Sequence, residues 1–380
     1  MLDFAKSAAL TFGMELEFQL VNAETGILSP SSLAFMEALA PHPDISRFAL
    51  EATLSTMELN TSIHHDADSM MKEATELTQT LCDIALPMEL LIRGGGTQMT
   101  QFWNERSMAP TPRAAKLTER FGFLPKRFST YGMHVHIGVE SADDAIRLGN
   151  VLQALSPLFI AMSAASPFLQ MADTGFVACR PLEPLMYPHG GPMPRLESWD
   201  AFEHAASEIF STGLADSLKD IYWDVRPKPE FGTIEVRVFD TPLCVHKAVA
   251  LAAFTRACAS LALQGALKLP PQSSPATAER VSRFMACRDG LDADLFDPLS
   301  QQWLPARKWL DMLVEAVCQS PVCDADLTYI LALRQHCAHA QDAQLMRTMW
   351  RQSGGPEGDL AEYSQSLSAL LLGPMSEVEV

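Results

Sequence analysis

The middle of the chain reads Tyr222-Trp-Asp-Val-Arg-Pro-Lys-Pro-Glu-Phe-Gly-Thr-Ile-Glu-Val-Arg-Val-Phe-Asp-Thr-Pro242, and the second half of this stretch alternates as a β-strand does. Ile234 and Val236 fall on one face, because successive side chains of a strand point in opposite directions. The other face carries Glu235 and Arg237 side by side. A carboxylate beside a guanidinium on one strand has no clear meaning alone. It indicates a functional site once other strands of the chain also carry charged or ligand side chains on their polar faces.

Two strands nearer the N-terminus also carry carboxylates on their polar faces. Residues 11–21 are apolar at every second position, and Glu15 and Glu17 share the opposite face. From Met57 the chain alternates again with Glu58 on the polar face, and Glu51 belongs to the approach to that strand. Neighbouring carboxylates repel each other, which a solvated face tolerates and a metal ion makes favourable. For one strand alone, a solvated surface is the better interpretation.

A third strand, residues 131–139, carries two histidines on one face, His134 and His136. A single histidine on a strand is more often structural than a ligand, and two on one face make both interpretations equally good. The glycine-rich turn that ends at Thr97 lacks a following Gly-Lys-Ser/Thr and a helix signal, so the P-loop and dinucleotide-binding motifs are excluded. In the long loop 166–194, Arg180 is equally well explained as a solvated residue or a substrate ligand.

The pattern of elements predicts one catalytic domain over residues 1–352. The marked strands place the sheet-forming part in residues 1–242, and residues 243–352 are helical almost throughout. Residues 353–380, with Gly354-Gly355-Pro356 and an acidic end, are predicted to be a loosely held tail. The fold class is therefore α+β.

Composition narrows the classes of function. The 380 residues are 48% hydrophobic, so the chain can bury a large core, and its net charge of −18 argues against a nucleic-acid surface. The chain has no apolar run of the ~20 residues that a membrane span needs, and its first residues lack a signal-peptide pattern. The eight cysteines are scattered without a Cys-x-x-Cys pair. These features predict a cytoplasmic protein with reduced thiols, and a homodimer is the default expectation.

Together, the polar faces would line a cavity with several carboxylates, a histidine or two and an arginine, if the strands share one sheet. Burying this much like charge is unfavourable unless cations neutralise it. Many oxygen ligands with one histidine suit Mg²⁺ or Mn²⁺ better than zinc. Hard cations beside an arginine are typical of sites that transfer phosphoryl groups, because both neutralise the charge of the phosphate oxygens. Four marked strands together thus favour a metal site over a solvated face.

Four motifs resemble those of the type 2 glutamate–cysteine ligase family, whose members are also called carboxylate–amine ligases. In this chain they are Phe-Gly-Met-Glu-Leu-Glu-Phe (12–18), Gly-Met-His-Val-His-Ile-Gly-Val (132–139), Ser-Pro-Phe…Asp-Thr-Gly-Phe (166–176) and the run from Arg226 to Pro242. The resemblance implies a glutamine-synthetase-like fold, in which a curved, mainly antiparallel sheet forms a funnel for ATP and magnesium, backed by helices.

The resemblance also implies roles for residues at matching positions. The implied metal ligands are Glu15, Glu17, Glu51, Glu58, His134 and Glu235. Arg237 would contact the transferred phosphate and act in catalysis with Glu235. The candidates for ATP or substrate binding are Arg180, Arg226, His136 and Thr97. The implied reaction joins a small-molecule carboxylate to an amine through an acyl phosphate made from ATP.

One departure concerns substrate identity. Many relatives have Gly-Thr-His-Pro after the glycine-rich strand, where this chain has Gly96-Thr97-Gln98-Met99. We expect the loss of that histidine near the mouth of the funnel to affect the choice of acid and amine more than the ATP chemistry. Three alternatives stay open at this point: a guanidino-type phosphotransferase, a non-catalytic ATP or metabolite sensor on the same fold, and a metal-dependent hydrolase that does not use ATP.

Overall fold

A computed structural model describes residues 2–127, 130–271, 273–321, 324–339 and 341–375. Its central element is a seven-stranded sheet in which every pair of neighbouring strands is antiparallel. The strands, numbered along the chain, are β1 (Phe12–Asn22), β2 (Phe48–Leu50), β3 (Thr56–Asn60), β4 (Leu90–Arg93), β5 (Gly132–Gly138), β6 (Phe168–Leu169), β7 (Ala172–Asp173), β8 (Gly190–Gly191), β9 (Tyr222–Trp223), β10 (Val225–Lys228), β11 (Thr233–Asp240), β12 (Asp294–Asp297) and β13 (Gln302–Pro305). The large sheet has the order β10-β11-β5-β1-β3-β2, and β4 also pairs with β1.

Helices cover one face of this sheet. The α-helices are α1 (Ser32–Leu39), α2 (Ala67–Ala85), α3 (Pro112–Phe121), α4 (Leu124–Arg127), α5 (Ala142–Ser163), α6 (Trp199–Ser211), α7 (Val245–Leu263), α8 (Ala276–Asp289), α9 (Ala306–Cys318), α10 (Asp324–His339), α11 (Asp342–Gln352) and α12 (Leu360–Ala369). Asp66 caps α2 by accepting a hydrogen bond from the Ser69 N–H at 2.8 Å, and Ser141 caps α5 in the same way.

The core lies between the sheet and the helices α2, α5 and α7. Phe12, Met14 and Leu16 of β1 are buried in it, whereas Glu15 and Glu17 point to the opposite face, as the alternation predicts. Among the described residues one helix, α5, has the length and apolar composition to cross a membrane, but 83% of its apolar window is buried inside the protein. That burial is typical of the core helix of a globular protein. The predicted α+β architecture with a mainly antiparallel sheet is confirmed.

Two predictions about the C-terminal part are wrong. Strands β12 and β13 form a hairpin where the sequence predicts helix, with Leu295 and Leu304 buried beneath it. The predicted loose tail contains α12, whose Tyr363 and Leu367 are buried, and the Ser364 hydroxyl accepts a hydrogen bond from Arg93 at 3.0 Å. Apolar burial therefore holds this segment against the sheet, while residues 376–380 lie outside the described residues. The division of the chain near residue 242 stays a prediction.

Candidate functional site

Polar side chains of four neighbouring strands, β1, β3, β5 and β11, meet at the floor of an open cavity of about 550 Å³. Because the strands alternate, each directs its polar face toward the cavity and its apolar face toward the core. Of the polar residues considered on these four strands, His136 alone does not itself line the cavity; it lies behind Glu15 and Glu235. The antiparallel register places polar residues directly opposite one another: Glu15 with His134, Glu17 with Glu58, and Glu235 with His136. The expectation that these strands share one sheet is confirmed.

The first group of ligand atoms, called here the mixed cluster, consists of Glu15, His136 and Glu235. One potential ligand atom from each lies within 4.8 Å of the others. His136 Nε2 lies 3.1 Å from Glu15 Oε1 and 3.7 Å from Glu235 Oε1. Two carboxylates and an imidazole form a donor set that accepts a divalent cation.

Two arginines surround the carboxylate of Glu235. Arg226 donates from Nε and Nη2 to Glu235 Oε2, at 2.9 and 2.8 Å, and Arg237 pairs with Oε1. Burial alone would raise the pKa of Glu235, but these two cations hold it far below its usual range. Arg226 also donates to the main-chain carbonyls of Leu218 and Ile221, so its guanidinium is fixed where it lines the cavity.

The second group, called here the acidic cluster, consists of Glu17, Glu51 and Glu58, and one carboxylate oxygen from each lies within 4.8 Å of the others. Burial and mutual repulsion raise the pKa of all three, that of Glu17 to about 7. Glu51 reaches the cluster because it directly follows β2, which pairs with β3 and thereby brings the chain beside Glu58. Three carboxylates without a histidine form an oxygen-only donor set, which suits Mg²⁺.

His134 lies between the two clusters. Its Nδ1 is 2.7 Å from Glu15 Oε2, and its Nε2 is 3.8 Å from Glu17 Oε1. Burial, and after it the charge of Arg237, lowers the pKa of His134 to about 4, so its imidazole is neutral at pH 7. The sequence predicts His134 as a metal ligand and His136 as a substrate residue. In the structure His136 shares the mixed cluster, and His134 bridges the two carboxylate groups.

The remaining predicted site residues divide into two sets. Arg180 lines the cavity and is only 9% exposed, and its Nη1 and Nη2 donate to the main-chain carbonyl of Arg237 at 3.3 Å. Thr97, by contrast, is buried with its hydroxyl donating to the carbonyl of Phe168 at 2.7 Å, and it does not line the cavity. The structure therefore brings Arg180 to the site and leaves Thr97 in the scaffold.

Gln98 also has a role in the scaffold. Its side-chain oxygen accepts hydrogen bonds from the N–H groups of Thr100 and Gln101 at 2.6 and 2.8 Å, and its side chain is buried. Gln98 thus closes a turn and does not line the cavity. The expectation that this position faces the mouth is wrong for this structure, because the side chain folds back onto its own loop.

Sequence reasoning missed the outer wall of the cavity. Arg113 of α3, Tyr187, Lys219 and Tyr222 line this wall. Arg113 pairs with Asp220 at 2.9 Å, whereas the ammonium of Lys219 has no partner among the residues that the structure describes. The signal in the sequence is the basic run 113–127, which stands out in a chain of net charge −18. This wall adds cations and aromatic surface to a cavity that is otherwise rich in carboxylates.

Comparisons with known proteins agree with this geometry. Residues 11–366 match the model of the glutamate-cysteine ligase family 2 (GCS2). A Bordetella parapertussis protein named "Putative glutamate--cysteine ligase 2" is 40% identical over 302 residues, which cover 79% of this chain and 72% of the relative. A protein of the same name from Cupriavidus metallidurans is 35% identical over 365 residues, covering 92% and 97% of the two chains.

Solved structures share the fold at low sequence identity. The glutamate–cysteine ligase of Francisella tularensis, in complex with AMP, has a TM-score of 0.69 at 14% identity, covering 99% of this chain and 91% of that one. A bifunctional glutathione synthetase from Pasteurella multocida has a TM-score of 0.65 at 15% identity, covering 94% of this chain and 51% of that one. The fold is therefore that of the glutamate–cysteine ligases.

Proposed function

The chain belongs to the glutamate-cysteine ligase family 2, and we propose that it is an ATP-dependent ligase that joins a carboxylate to an amine through an acyl phosphate. The observation that carries this proposal is the pair of metal-ligand clusters on one cavity floor, separated by His134 and bordered by Arg237. Two groups of metal ligands, five carboxylates and one imidazole in all, beside a fixed arginine can hold a triphosphate for transfer of its terminal phosphoryl group.

The donor sets fit magnesium, with manganese as a substitute. Glu15, His136 and Glu235 would hold one ion, and the three carboxylates of the acidic cluster another. When bound, these ions supply positive charge that neutralises the phosphate oxygens of ATP during the approach of a second anion. Without such charge the acidic cluster repels ATP.

The side chains of this site then have separable tasks. Arg237 is anchored by Glu235, which keeps its guanidinium charged and aimed across the floor, where it can bind the transferred phosphoryl group. A substrate carboxylate attacks the γ-phosphorus, the bond from that phosphorus to the bridging oxygen breaks, and ADP leaves with the electron pair. Arg180 and the cations of the outer wall, which line the same cavity, would hold the anionic groups of the substrates.

The second step forms the amide. The amine nitrogen attacks the acyl carbon, the bond from that carbon to the phosphate oxygen breaks, inorganic phosphate leaves, and the nitrogen gives up a proton. No protein nucleophile takes part in this scheme. The cavity supplies position and charge, which are the main sources of rate enhancement when ATP activates the carboxylate. Glutamate is the acid that the family name indicates, and the amine is to be found by experiment.

The test is amine-dependent release of ADP. Purified protein is given ATP, Mg²⁺, glutamate and a panel of amines that includes cysteine, and both ADP and the amide product are measured. We expect ADP release that requires an amine, matches the amide in amount and is lost in Glu235→Gln, while Glu140→Gln, a change at an exposed residue beyond the end of β5, behaves as wild type.

Other outcomes separate the alternatives. ADP release with a phosphorylated product and no amide would indicate a phosphotransferase. Binding of Mg-ATP without turnover would indicate a sensor, and hydrolysis without ATP would indicate a metal-dependent hydrolase. The cytoplasmic location and the homodimer stay predictions.

A further inference from the structure

Asp240, the last residue of β11, is a buried carboxylate that the proposed reaction does not use. It is 1% exposed, and its Oδ2 accepts hydrogen bonds from the Ala165 N–H at 2.8 Å and the Ser166 hydroxyl at 2.6 Å. Its Oδ1 is buried without a hydrogen-bond partner among the described residues. A buried charge without full hydrogen bonding is unfavourable, so its presence requires a compensating cation.

Arg180 is that cation. Its Nε is likewise buried without a hydrogen-bond partner among the described residues. The charges of Arg180 and Asp240 attract each other, which opposes the effect of burial on both groups. The Ser166 hydroxyl links the two residues further, because it donates to Asp240 and accepts from the Arg180 main-chain N–H at 3.1 Å. The main chain of Arg180 is thus tied to Asp240 through Ser166, and the two side chains act on each other through their opposite charges without a hydrogen bond between them among the described residues.

Two glycines make room for this arrangement. A Cβ at position 132 would lie 1.9 Å from Arg180 Nη2, and a Cβ at position 96 would lie 2.4 Å from Asp240 Cγ. Gly132 is also the register partner of Asp240 across β5 and β11. Close approach at both ends indicates a compartment shaped for one guanidinium and one carboxylate.

We propose that Asp240 is a positioning residue, which holds the Arg180 guanidinium at the cavity floor, where it binds an anionic oxygen of the acid substrate or of the transferred phosphoryl group. Arg180 faces Glu17 of the acidic cluster on one side and is fixed to the Arg237 carbonyl on the other. Asp240 acts through Arg180 and does not touch the reactants. This inference rests on the proposed function for the identity of the anion, but not for the coupling of the two residues.

The first test is a double-mutant cycle. Asp240→Asn keeps an oxygen that can accept both hydrogen bonds, removes the charge and puts an NH2 group in place of the oxygen that has no hydrogen-bond partner among the described residues. We expect it to lower kcat/KM for the acid by roughly 10- to 100-fold, because a small misplacement of a binding group has that effect. Arg180→Ala should lower it further, and the double variant should equal Arg180→Ala within about twofold. Effects that multiply would overturn the proposal.

A control separates charge at this position from general loss of a buried carboxylate. Asp297 is also buried and accepts from two main-chain N–H groups, those of Leu299 and Ser300, in the β12–β13 hairpin. We expect Asp297→Asn to leave kcat/KM unchanged when activity is scaled to folded protein. A loss in Asp297→Asn equal to that in Asp240→Asn would indicate a structural effect and overturn the proposal.

The second test needs no turnover. In Arg180→Ala the vacated compartment should bind free guanidinium ion, measured by calorimetry at non-denaturing concentrations without substrate. Adding Asp240→Asn should weaken this binding at least about tenfold, as expected for removal of a buried countercharge. Equal binding in the two proteins would overturn the role of Asp240, whether or not an amine substrate is found. If the difference holds while no amine supports ADP release, the positioning role stands and the ligase proposal fails.

Discussion

The mixed cluster and the acidic cluster are neighbours on one sheet, but arginines fully compensate the negative charge only in the mixed cluster. Arg226 and Arg237 surround Glu235 and hold its pKa far below the usual range. In the acidic cluster burial and repulsion prevail, and they raise the pKa of Glu17 to about 7 even though Arg180 opposes the shift. The mixed cluster is neutralised by the protein itself, whereas the acidic cluster requires a bound cation to be fully ionised at neutral pH.

This difference predicts opposite effects on stability for two equally conservative substitutions. Glu235→Gln leaves the buried Arg226 without its countercharge and should lower the free energy of unfolding by about 3 kcal/mol. Glu58→Gln removes one of three repelling carboxyls and should stabilise the metal-free protein at pH 8. Both should reduce amine-dependent ADP release by about 1,000-fold. Thermal unfolding in a chelator checks this, and shifts of the same sign would contradict the comparison.

The next largest effect on activity is expected at Gly132, because the absence of a side chain there leaves space for the Arg180 guanidinium at the cavity floor. Gly132→Ala places a Cβ 1.9 Å from Arg180 Nη2, so the guanidinium must move, and activity should fall by roughly 100-fold. Gly149→Ala is the control, because its Cβ would meet the flexible end of Met193, at 2.9 Å from the terminal methyl. Steady-state kinetics of the two variants should therefore differ. Comparable loss in both would show that Arg180 is not held as described.

The acidic cluster should also exchange protons for metal ions. With a pKa of about 7, Glu17 is largely protonated at pH 6, so binding of Mg²⁺ there should release protons, and affinity should rise as the pH passes through about 7. Calorimetry in buffers of different ionisation enthalpy measures this release. We expect Glu17→Gln to reduce it, and absence of proton release from the wild type at pH 6 would contradict the raised pKa.

The same shift affects stability without metal. The folded-state pKa of Glu17 lies above its ordinary value of 4.5, so the folded protein binds the proton more tightly than the unfolded chain. The favourable contribution is therefore complete below about pH 4.5 and is lost as the pH rises through about 7. Mg²⁺ should then raise Tm more at pH 8 than at pH 6.

The smallest effect concerns a residue outside the floor. Thr97→Val removes a buried hydroxyl that donates to the Phe168 carbonyl and should lower the free energy of unfolding by about 1–2 kcal/mol. KM for ATP should change less than about twofold, because Thr97 does not line the cavity. A large rise in KM for ATP would indicate that Thr97 contacts the nucleotide and would contradict its assignment as a buried structural residue.

What the sequence could predict follows from periodicity. Glu15, Glu17, His134 and Glu235 lie on alternating strands, so the face of each side chain is fixed by its neighbours, and the sheet brings them together as expected. Glu51 has no such period, and its place in the acidic cluster depends on the pairing of β2 with β3, a long-range contact. The alternation within a strand predicts the face to which a side chain points, but only the pairing of strands in the sheet determines which side chains are close to one another.

Segments whose sequence shows no helical or strand periodicity were predicted less well. Thr97 follows a glycine-rich turn, which indicates close backbone approach but not which surface the next side chain meets. The β12–β13 hairpin has strands of only four residues between helices, too short for alternation to be distinguished from a helix. The role of α12 depends on Tyr363 and Leu367 finding an apolar surface that is distant in sequence.

The most direct test of two separate cation sites is to count bound Mn²⁺ in the absence of nucleotide, by equilibrium dialysis at pH 8. We predict two ions per chain in the wild type and one in each of Glu235→Gln and Glu58→Gln, because each variant removes a ligand from a different cluster. A wild type that binds one ion or none, or a single substitution that removes both ions, would contradict the account of two independent clusters.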